Sequence, residues 1–329
     1  MSVPLGIVLL LTLAAEFTNG LTDAPNAIAT VVSTRVLPPA TAVVMAAVLN
    51  IAGVLVTGTA VAATIGTGII SPEVISIYTV GAAVLTVVVW STVTWRFGIP
   101  TSETHELVAG LAGAGLAAAG PSVLLWEGWR KVLIGLGVST VVGFAGGFLV
   151  MVIIHWSVRN LRRSTGNKLF GRLQILSAAL MAFSHGSNDG QKFMGAFTLA
   201  LVLAGVLPQF QVPIWVVLLC GVTMGVGTAF GGWRIIRTMG FRITRLAPVN
   251  GFAAETTAGL SILASSSLGI PLSTTHIINT AIMGVGSTQR LSAVRWDVSR
   301  QIVLTWLITF PICAALGYAF SWLVKVVFL

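Results

Sequence analysis

The sequence has few charged residues, and this scarcity limits the class of protein more than any residue that is present. Charged side chains make up 8% of the 329 residues and hydrophobic ones 56%. A soluble domain carries about 25% charged residues, so this chain lacks the surface that water would solvate. Apolar stretches of roughly 20 residues, the length that spans a bilayer, recur along it. The composition therefore predicts a multi-pass membrane protein.

Cysteine and histidine are also scarce. The two cysteines, Cys220 and Cys313, lie inside apolar stretches and give no information about a disulfide framework. None of the four histidines has the spacing that is typical of a zinc site. The opening segment from Val3 to Ala15 lacks the basic residues of a signal peptide, so we expect it to belong to the mature chain.

Acidic residues number only nine against 18 basic ones, and the basic residues are unevenly placed. We predict ten membrane crossings, at about residues 4–34, 41–65, 73–96, 101–119, 129–157, 173–206, 212–232, 247–267, 271–289 and 296–326. Counting from the first crossing, the connections on one side contain Arg35, Arg96, Arg159, Arg162, Arg163, Lys168, Arg172, Arg234, Arg237, Arg242, Arg245, Arg290 and Arg295. The opposite connections contain no basic residue, namely 66–72, 120–128, 207–211 and 268–270.

This asymmetry sets the topology. By the positive-inside rule the basic side is cytoplasmic, so we expect both termini outside the cell (inner) membrane. The positive charge orients the chain and does not indicate nucleic-acid binding. Five crossings per half is an odd number, so the halves must have opposite orientations. We expect an all-α polytopic fold of two inverted-topology repeats, 1–160 and 161–329, with broken or re-entrant helices at the centre.

One polar motif occurs in each half. Residues 98–105 read Gly-Ile-Pro-Thr-Ser-Glu-Thr-His and residues 269–276 read Gly-Ile-Pro-Leu-Ser-Thr-Thr-His, so six of eight positions agree. Gly and Pro end one helix, and Pro at a first helical position starts another, whose free N–H groups attract anions. The motif predicts a phosphate site, and the alternative is that its hydroxyls only cap a helix. The expected phosphate contacts are Thr101, Ser102, Thr104, Gln191, Ser273, Thr274 and Thr275.

A second polar cluster also recurs, since Phe17–Asp23 precedes Phe183–Asp189 by 166 residues. Ionisable residues at membrane depth are costly and usually functional. The nearby Gly, Pro and Asn residues predict local unwinding that frees carbonyl oxygens for a small hard cation. An Asp beside an anion would repel it unless a cation lay between them. We expect a cation site, for Na⁺ in preference to H⁺, formed by Thr22, Asp23, Asn26, Glu103, Asn188 and Asp189.

Four other polar residues have more than one interpretation. Lys192 either neutralises Asp189 or contacts phosphate, and the sequence does not rank the two. His105 and His276 are expected to hydrogen-bond the helix break, not to bind a metal. Glu255 is as compatible with an interfacial position as with a functional one.

In these motifs the chain resembles the inorganic phosphate transporter (PiT) family over essentially its whole length. The family signature is a Gly-x-Asn-Asp element near the start of each half and a Gly-[Ile/Leu]-Pro-x-Ser-x-Thr-His element later in each. The second half matches at Gly186–Asp189 and at Gly269–His276. The first half departs at Thr22, where many members have Asn, as in the prokaryotic branch. The resemblance implies cation-coupled uptake of phosphate with Na⁺ or H⁺ and no other cofactor.

Two other classes of protein share part of this pattern. An intramembrane serine hydrolase would pair Ser102 or Ser273 with the His three positions later, but one active site does not explain an inverted duplication. An anion channel would use helix N-termini without needing two buried Asp residues. The sequence therefore favours a transporter and not an enzyme. Its expected partners are phosphate, Na⁺ or H⁺ and the lipid bilayer, and it is compatible with a homo-oligomer.

Overall fold

The described part of the chain, residues 2–328 of a computed structural model, consists of twelve α-helices and the connections between them. The helices are α1 Val3–Ser33, α2 Pro39–Val56, α3 Ala60–Gly68, α4 Ile77–Phe97, α5 Glu103–Ala119, α6 Trp126–Val158, α7 Arg163–Leu203, α8 Ile214–Phe230, α9 Trp233–Phe241, α10 Pro248–Ser267, α11 Thr274–Ser287 and α12 Trp296–Phe328. The prediction of an all-α membrane fold is confirmed.

Five of these helices are long and apolar enough to cross a membrane by themselves: α1, α2, α4, α6 and α12. Helices α8 and α9 pass the same test only as a pair, bent by 70°. Helix α7 has 41 residues but carries the polar cluster. Helices α5 and α11 have 17 and 14 residues, about 26 and 21 Å at 1.5 Å per residue, and each follows an extended stretch.

The connections without basic residues lie together at one end of the helices. The backbone N–H of Ser71 donates to the carbonyl of Val123 at 2.8 Å. The Thr64 hydroxyl, near the end of α3, donates to the carbonyl of Gly269 at 2.8 Å. Three connections that the charge pattern assigns to one side are therefore in contact.

The basic connections lie together at the other end. The Thr238 hydroxyl donates to the carbonyl of Gly98 at 2.7 Å, and the Thr244 hydroxyl donates to the carbonyl of Ala293 at 3.0 Å. The segments 98–120 and 269–288 each run from one set of connections to the other. These segments therefore pass from end to end and are not re-entrant hairpins.

The packing of the helices repeats when the two halves are exchanged. Helix α1 packs against α8 as α7 packs against α2, and α5 packs against α12 as α11 packs against α6. Helix α3 contacts α7 as α9 contacts α1, while α1 and α7 contact each other in the middle. The molecule thus has a pseudo-twofold relation, with the two polar clusters on the central helices α1 and α7.

The predicted unwinding of the two clusters is wrong. Helix α1 runs without a break through Asn19–Asn26, including Pro25, and α7 runs unbroken through residues 184–192. Unwound backbone would leave polar groups that a bilayer cannot hydrate. The glycines serve close packing instead, because a Cβ on Gly20 would lie 2.2 Å from the carbonyl oxygen of Met224, and one on Gly186 would lie 2.1 Å from that of Asn50.

The helix breaks lie in the second segment of each half. The segment predicted as one crossing at 41–65 is divided into α2 and α3. Its counterpart, predicted at 212–232, corresponds to α8, and α9 follows in residues that were predicted to be a basic connection. The breaks contain Gly58 in the first half and Gly231 with Gly232 in the second. The expectation of broken helices is right, but their positions differ from those the polar residues indicated.

Candidate functional site

The two repeated motifs place helix starts at the centre of the molecule. Gly98 and Gly269 end α4 and α10 with φ of 67° and 65°, the left-handed conformation that Gly adopts readily. The prediction that the prolines occupy the first helical position is wrong, because α5 and α11 begin three residues after Pro100 and Pro271. Ser102 and Ser273 precede the helices, and the Ser273 hydroxyl accepts from the backbone N–H of His276 at 3.1 Å.

The carboxylates of the two polar clusters meet between α1 and α7. Nε2 of His185 lies 3.2 Å from Oδ2 of Asp189 and 3.9 Å from Oδ2 of Asp23. One ligand atom from each of these three residues lies within 4.8 Å of the other two. All three side chains are buried. The predicted meeting of Asp23 and Asp189 is therefore present in the structure.

The motif hydroxyls bind these carboxylates directly. Thr274 donates to Oδ2 of Asp189 at 2.8 Å, and Thr275 donates to Oδ1 of Asp23 at 2.9 Å. The Asn26 amide donates to both hydroxyls, at 3.0 Å to Thr275 and 3.3 Å to Thr274. Thr274 and Thr275, predicted for phosphate, thus form one cluster with residues predicted for a cation, namely Asp23, Asn26 and Asp189.

Lys192 forms an ion pair with Asp189, with 2.8 Å between Nζ and Oδ1. The lysine side chain is buried, 1% exposed, and its partner is fully buried. A buried ammonium ion is strongly unfavourable without a partner of opposite charge. Of the two alternatives left open by the sequence, the structure therefore has Lys192 neutralising Asp189.

A second acid lies beside Asp23. The Glu103 carboxyl at the start of α5 accepts a hydrogen bond from the hydroxyl of Thr22, the residue before Asp23. The buried oxygens without a hydrogen-bond partner in the described chain include Oδ2 of Asp23, Oδ1 of Asn26, Oε2 of Glu103 and Oδ1 of Asn188. Oδ1 of Asp189 also accepts no hydrogen bond, but it pairs with Lys192. Carboxylate and amide oxygens without donors are the hard ligands that a small cation takes.

Gln191 is directed away from this cluster. Its side-chain oxygen accepts from the backbone N–H of Val61 at 2.9 Å, at the start of α3, and its amide donates to the carbonyl of Ser187 at 2.5 Å. Gln191 thus provides an acceptor for a backbone N–H group at the N-terminus of α3, which has no partner within the helix. The structure does not bring it to the other predicted phosphate contacts.

Three other predicted residues contact neighbouring backbone or hydroxyl groups. The Thr104 hydroxyl and the Asn188 amide both donate to the carbonyl of Leu272, at 3.1 and 3.0 Å. The Thr101 and Thr94 hydroxyls lie 3.0 Å apart. These contacts join α5, α7 and the second motif, and so they fix the two helix starts relative to each other.

The rings of the two motif histidines contact each other. The prediction that they hydrogen-bond the helix break is wrong. The rings of His105 and His276 are edge to face with centroids 4.4 Å apart, and His276 also stacks on Trp306 at 3.7 Å. Their ring nitrogens have no hydrogen-bond partner in the described chain. Neither imidazole therefore bonds to the serine three positions before it, and the arrangement that a serine hydrolase needs is missing.

Sequence reasoning assigned no role to His185 or Asn50. The Asn50 side-chain oxygen lies 3.2 Å from Nδ1 of His185, and its amide donates to Thr228 at 3.0 Å. These bonds fix the orientation of the imidazole between the two aspartates. A lone Asn in the apolar stretch of α2 was the available signal for this contact.

Glu255 lies inside the protein and not at an interface. It is fully buried on α10 and accepts hydrogen bonds from Thr30 of α1 and from Ser177 and Gln174 of α7. Thr34 donates to the Gln174 side chain at 2.8 Å. This polar group ties three helices together toward the basic connections, separate from the central cluster.

The chain was compared with known proteins. Residues 19–317 match the model of the phosphate transporter family. The "probable low-affinity inorganic phosphate transporter" of Rhizobium meliloti (strain 1021) is 45% identical over 303 residues, 92% of this chain and 91% of that protein. The protein of the same name from Bacillus subtilis (strain 168) is 38% identical over 325 residues, 98% and 97% of the two chains.

A solved structure agrees with these matches. It is described as "the sodium-dependent phosphate transporter" and superposes with a TM-score of 0.88 at 26% identity, over 99% of this chain and 100% of that one. The relatives are transporters and not enzymes, in line with the missing serine–histidine contact. From the family match over most of its length and from these two relatives, the chain belongs to the phosphate transporter family.

Proposed function

We propose that this protein is a secondary transporter that carries inorganic phosphate across the plasma membrane together with a cation, Na⁺ in preference to H⁺. The observation that carries the proposal is the excess of buried acids at the helix starts. Asp23, Glu103 and Asp189 lie there with one lysine. Phosphate would be repelled from these carboxylates until a cation lay between them.

The two parts of the cluster have different roles in this proposal. The backbone N–H groups and hydroxyls at the starts of α5 and α11 bind phosphate, because helix N-termini attract anions. These hydroxyls belong to Thr101, Ser102, Thr104, Ser273, Thr274 and Thr275. The cation is held by Asp23, Asn26 and Glu103, whose oxygens without hydrogen-bond donors support this assignment. The name of the solved relative supports Na⁺ as the coupling ion.

The proposal includes an orientation in the membrane. Residues 1–160 and 161–329 form repeats of opposite orientation, with the basic connections in the cytoplasm and both termini outside. The exchange of helix contacts between the halves supports this arrangement.

Labelled phosphate uptake into proteoliposomes tests the proposal, with Na⁺ and H⁺ gradients imposed separately. We expect saturable uptake that an inward Na⁺ gradient drives above equilibrium. Accumulation driven by a pH gradient alone would assign the coupling to H⁺. Uptake that never exceeds equilibrium under either gradient would indicate an anion channel and would refute coupled transport.

The variant Asp23→Asn tests the cation site, because it keeps the size of the side chain and removes its charge. We expect the Na⁺ dependence of uptake to be lost or shifted at least about tenfold, since opposite unit charges about 4 Å apart attract by roughly 4 kcal/mol at an effective dielectric constant of about 20. Unchanged Na⁺ dependence would remove Asp23 from the cation site.

A further inference from the structure

The two halves of the site carry different charges at matched positions. The offset of 166 residues between the aspartate clusters matches Asn19 with His185 and Asn26 with Lys192. The offset of 171 residues between the Gly-Ile-Pro motifs matches Glu103 with Thr274. Acids and bases are therefore not distributed symmetrically across the pseudo-twofold relation.

The two aspartates accordingly have different neighbours in the structure. In the second half, Asp189 accepts from the Thr274 hydroxyl at 2.8 Å and pairs with the Lys192 ammonium at 2.8 Å. In the first half, the hydroxyl of Thr22, the residue before Asp23, donates to the Glu103 carboxyl. The residue that corresponds to the lysine is the neutral Asn26, which donates to Thr275 and Thr274.

The first half has an excess of negative charge that its own residues do not compensate. Its buried acids here are Glu16, Asp23, Glu103 and Glu106, and its half of the cluster contains no lysine or arginine. At the positions matched to Glu16 and Glu106 the second half has Ala182 and Ile277. Neighbouring carboxylates in a medium of low dielectric constant cannot all be ionised unless a positive charge lies between them.

We propose that Lys192 is a built-in cation that occupies, in the second half, the position corresponding to the coupling-cation site of the first half. The exchangeable cation then binds only beside Asp23 and Glu103. The unpartnered oxygens support this assignment, since Oδ2 of Asp23, Oδ1 of Asn26 and Oε2 of Glu103 are buried there. This inference rests on the proposed cation coupling. It implies that only one of the two related positions, the one in the first half, exchanges its cation.

The test exchanges the residues at the matched positions. Lys192→Asn gives the second half the residue of the first, and Asn26→Lys does the reverse. Lys192→Arg is the control, because it keeps the charge beside Asp189. Each variant is purified and checked for a monodisperse elution profile. Na⁺ binding is then followed by tryptophan fluorescence, without phosphate and at constant ionic strength with choline.

Transport provides the second measurement. In proteoliposomes, the gradient of the coupling cation that just halts net phosphate flux gives the number of cations per phosphate, for Na⁺ and H⁺ alike. We expect Lys192→Asn to carry one cation more per phosphate than the wild type, and to bind Na⁺ with a steeper dependence on concentration. Lys192→Arg should keep the wild-type number, and Asn26→Lys should lose Na⁺ binding.

The possible results distinguish the role of Lys192 from cation coupling itself. An unchanged cation number in a folded Lys192→Asn variant would overturn the role of Lys192 while leaving cation coupling intact. If Lys192→Asn fails to fold, Na⁺ binding by Asn26→Lys decides, and binding equal to the wild type would overturn the proposal. A wild-type protein whose flux responds to neither cation gradient would instead refute coupled transport itself.

Discussion

The Thr275 hydroxyl donates to the Asp23 carboxylate at 2.9 Å, between residues 252 positions apart in the chain. This bond connects the start of α11, in the second half, with the middle of α1, in the first. A residue expected to bind phosphate thereby touches one expected to bind a cation. Binding of phosphate should therefore change the binding free energy of the cation, and binding of the cation should change that of phosphate.

Thr275→Val tests this connection, because it removes the hydroxyl and keeps the shape. A hydrogen bond to a charged group contributes about 1.5–3 kcal/mol, so the half-saturation for both phosphate and the cation should rise about tenfold or more. Thr104→Val is the control at the matched position, where the hydroxyl donates to the Leu272 carbonyl. It should change the half-saturation for the cation by less than about threefold. A selective effect of Thr275→Val on phosphate alone would contradict the shared cluster.

The two motif serines should differ in their effect on stability. The Ser273 hydroxyl caps α11, whereas the Ser102 hydroxyl makes no cap hydrogen bond. Ser273→Ala should therefore lower the free energy of unfolding by about 1 kcal/mol, and Ser102→Ala by a few tenths. Both should weaken apparent phosphate affinity. Thermal unfolding in detergent and uptake at varied phosphate measure the two effects, and equal losses of stability would be the opposite result.

Glu255 should contribute to stability far more than an exposed glutamate. Glu255→Ala removes the acceptor of three buried donors, and each buried donor left without a partner costs about 1–3 kcal/mol. The control is Glu127→Ala, since Glu127 is 74% exposed and pairs only with Arg130. That variant should lose less than about 1 kcal/mol. Similar unfolding temperatures for the two variants would show that the Glu255 contacts do not stabilise the fold.

Cysteine labelling tests the orientation of the two halves. Glu73 and Arg242 are exposed residues in matched connections of the first and second halves, and the native Cys220 and Cys313 are buried. In intact cells a membrane-impermeant maleimide should label Glu73→Cys but not Arg242→Cys. Inverted vesicles should give the reverse, with the wild type unlabelled in both. Labelling of both positions from the same face would exclude the inverted repeat.

The sequence already contained most of the candidate site, because its residues lie in two repeated motifs. Asp23, Asp189, Thr274 and Thr275 were identified as polar residues at matched positions in apolar sequence, and the structure brings them into contact. The contribution of His185 depended on Asn50, whose partner lies 135 positions away. No local pattern contains that information.

The sequence by itself determined the class of protein, the two halves and the residues of the cluster. Apolar length, charge asymmetry and internal repeats are local properties that a bilayer acts on directly. The tertiary structure alone decided that α1 and α7 stay helical, that the breaks fall in the second segment of each half, and that Lys192 neutralises Asp189. These outcomes depend on which helices pack together, because only a neighbouring helix can satisfy a polar group where water is absent.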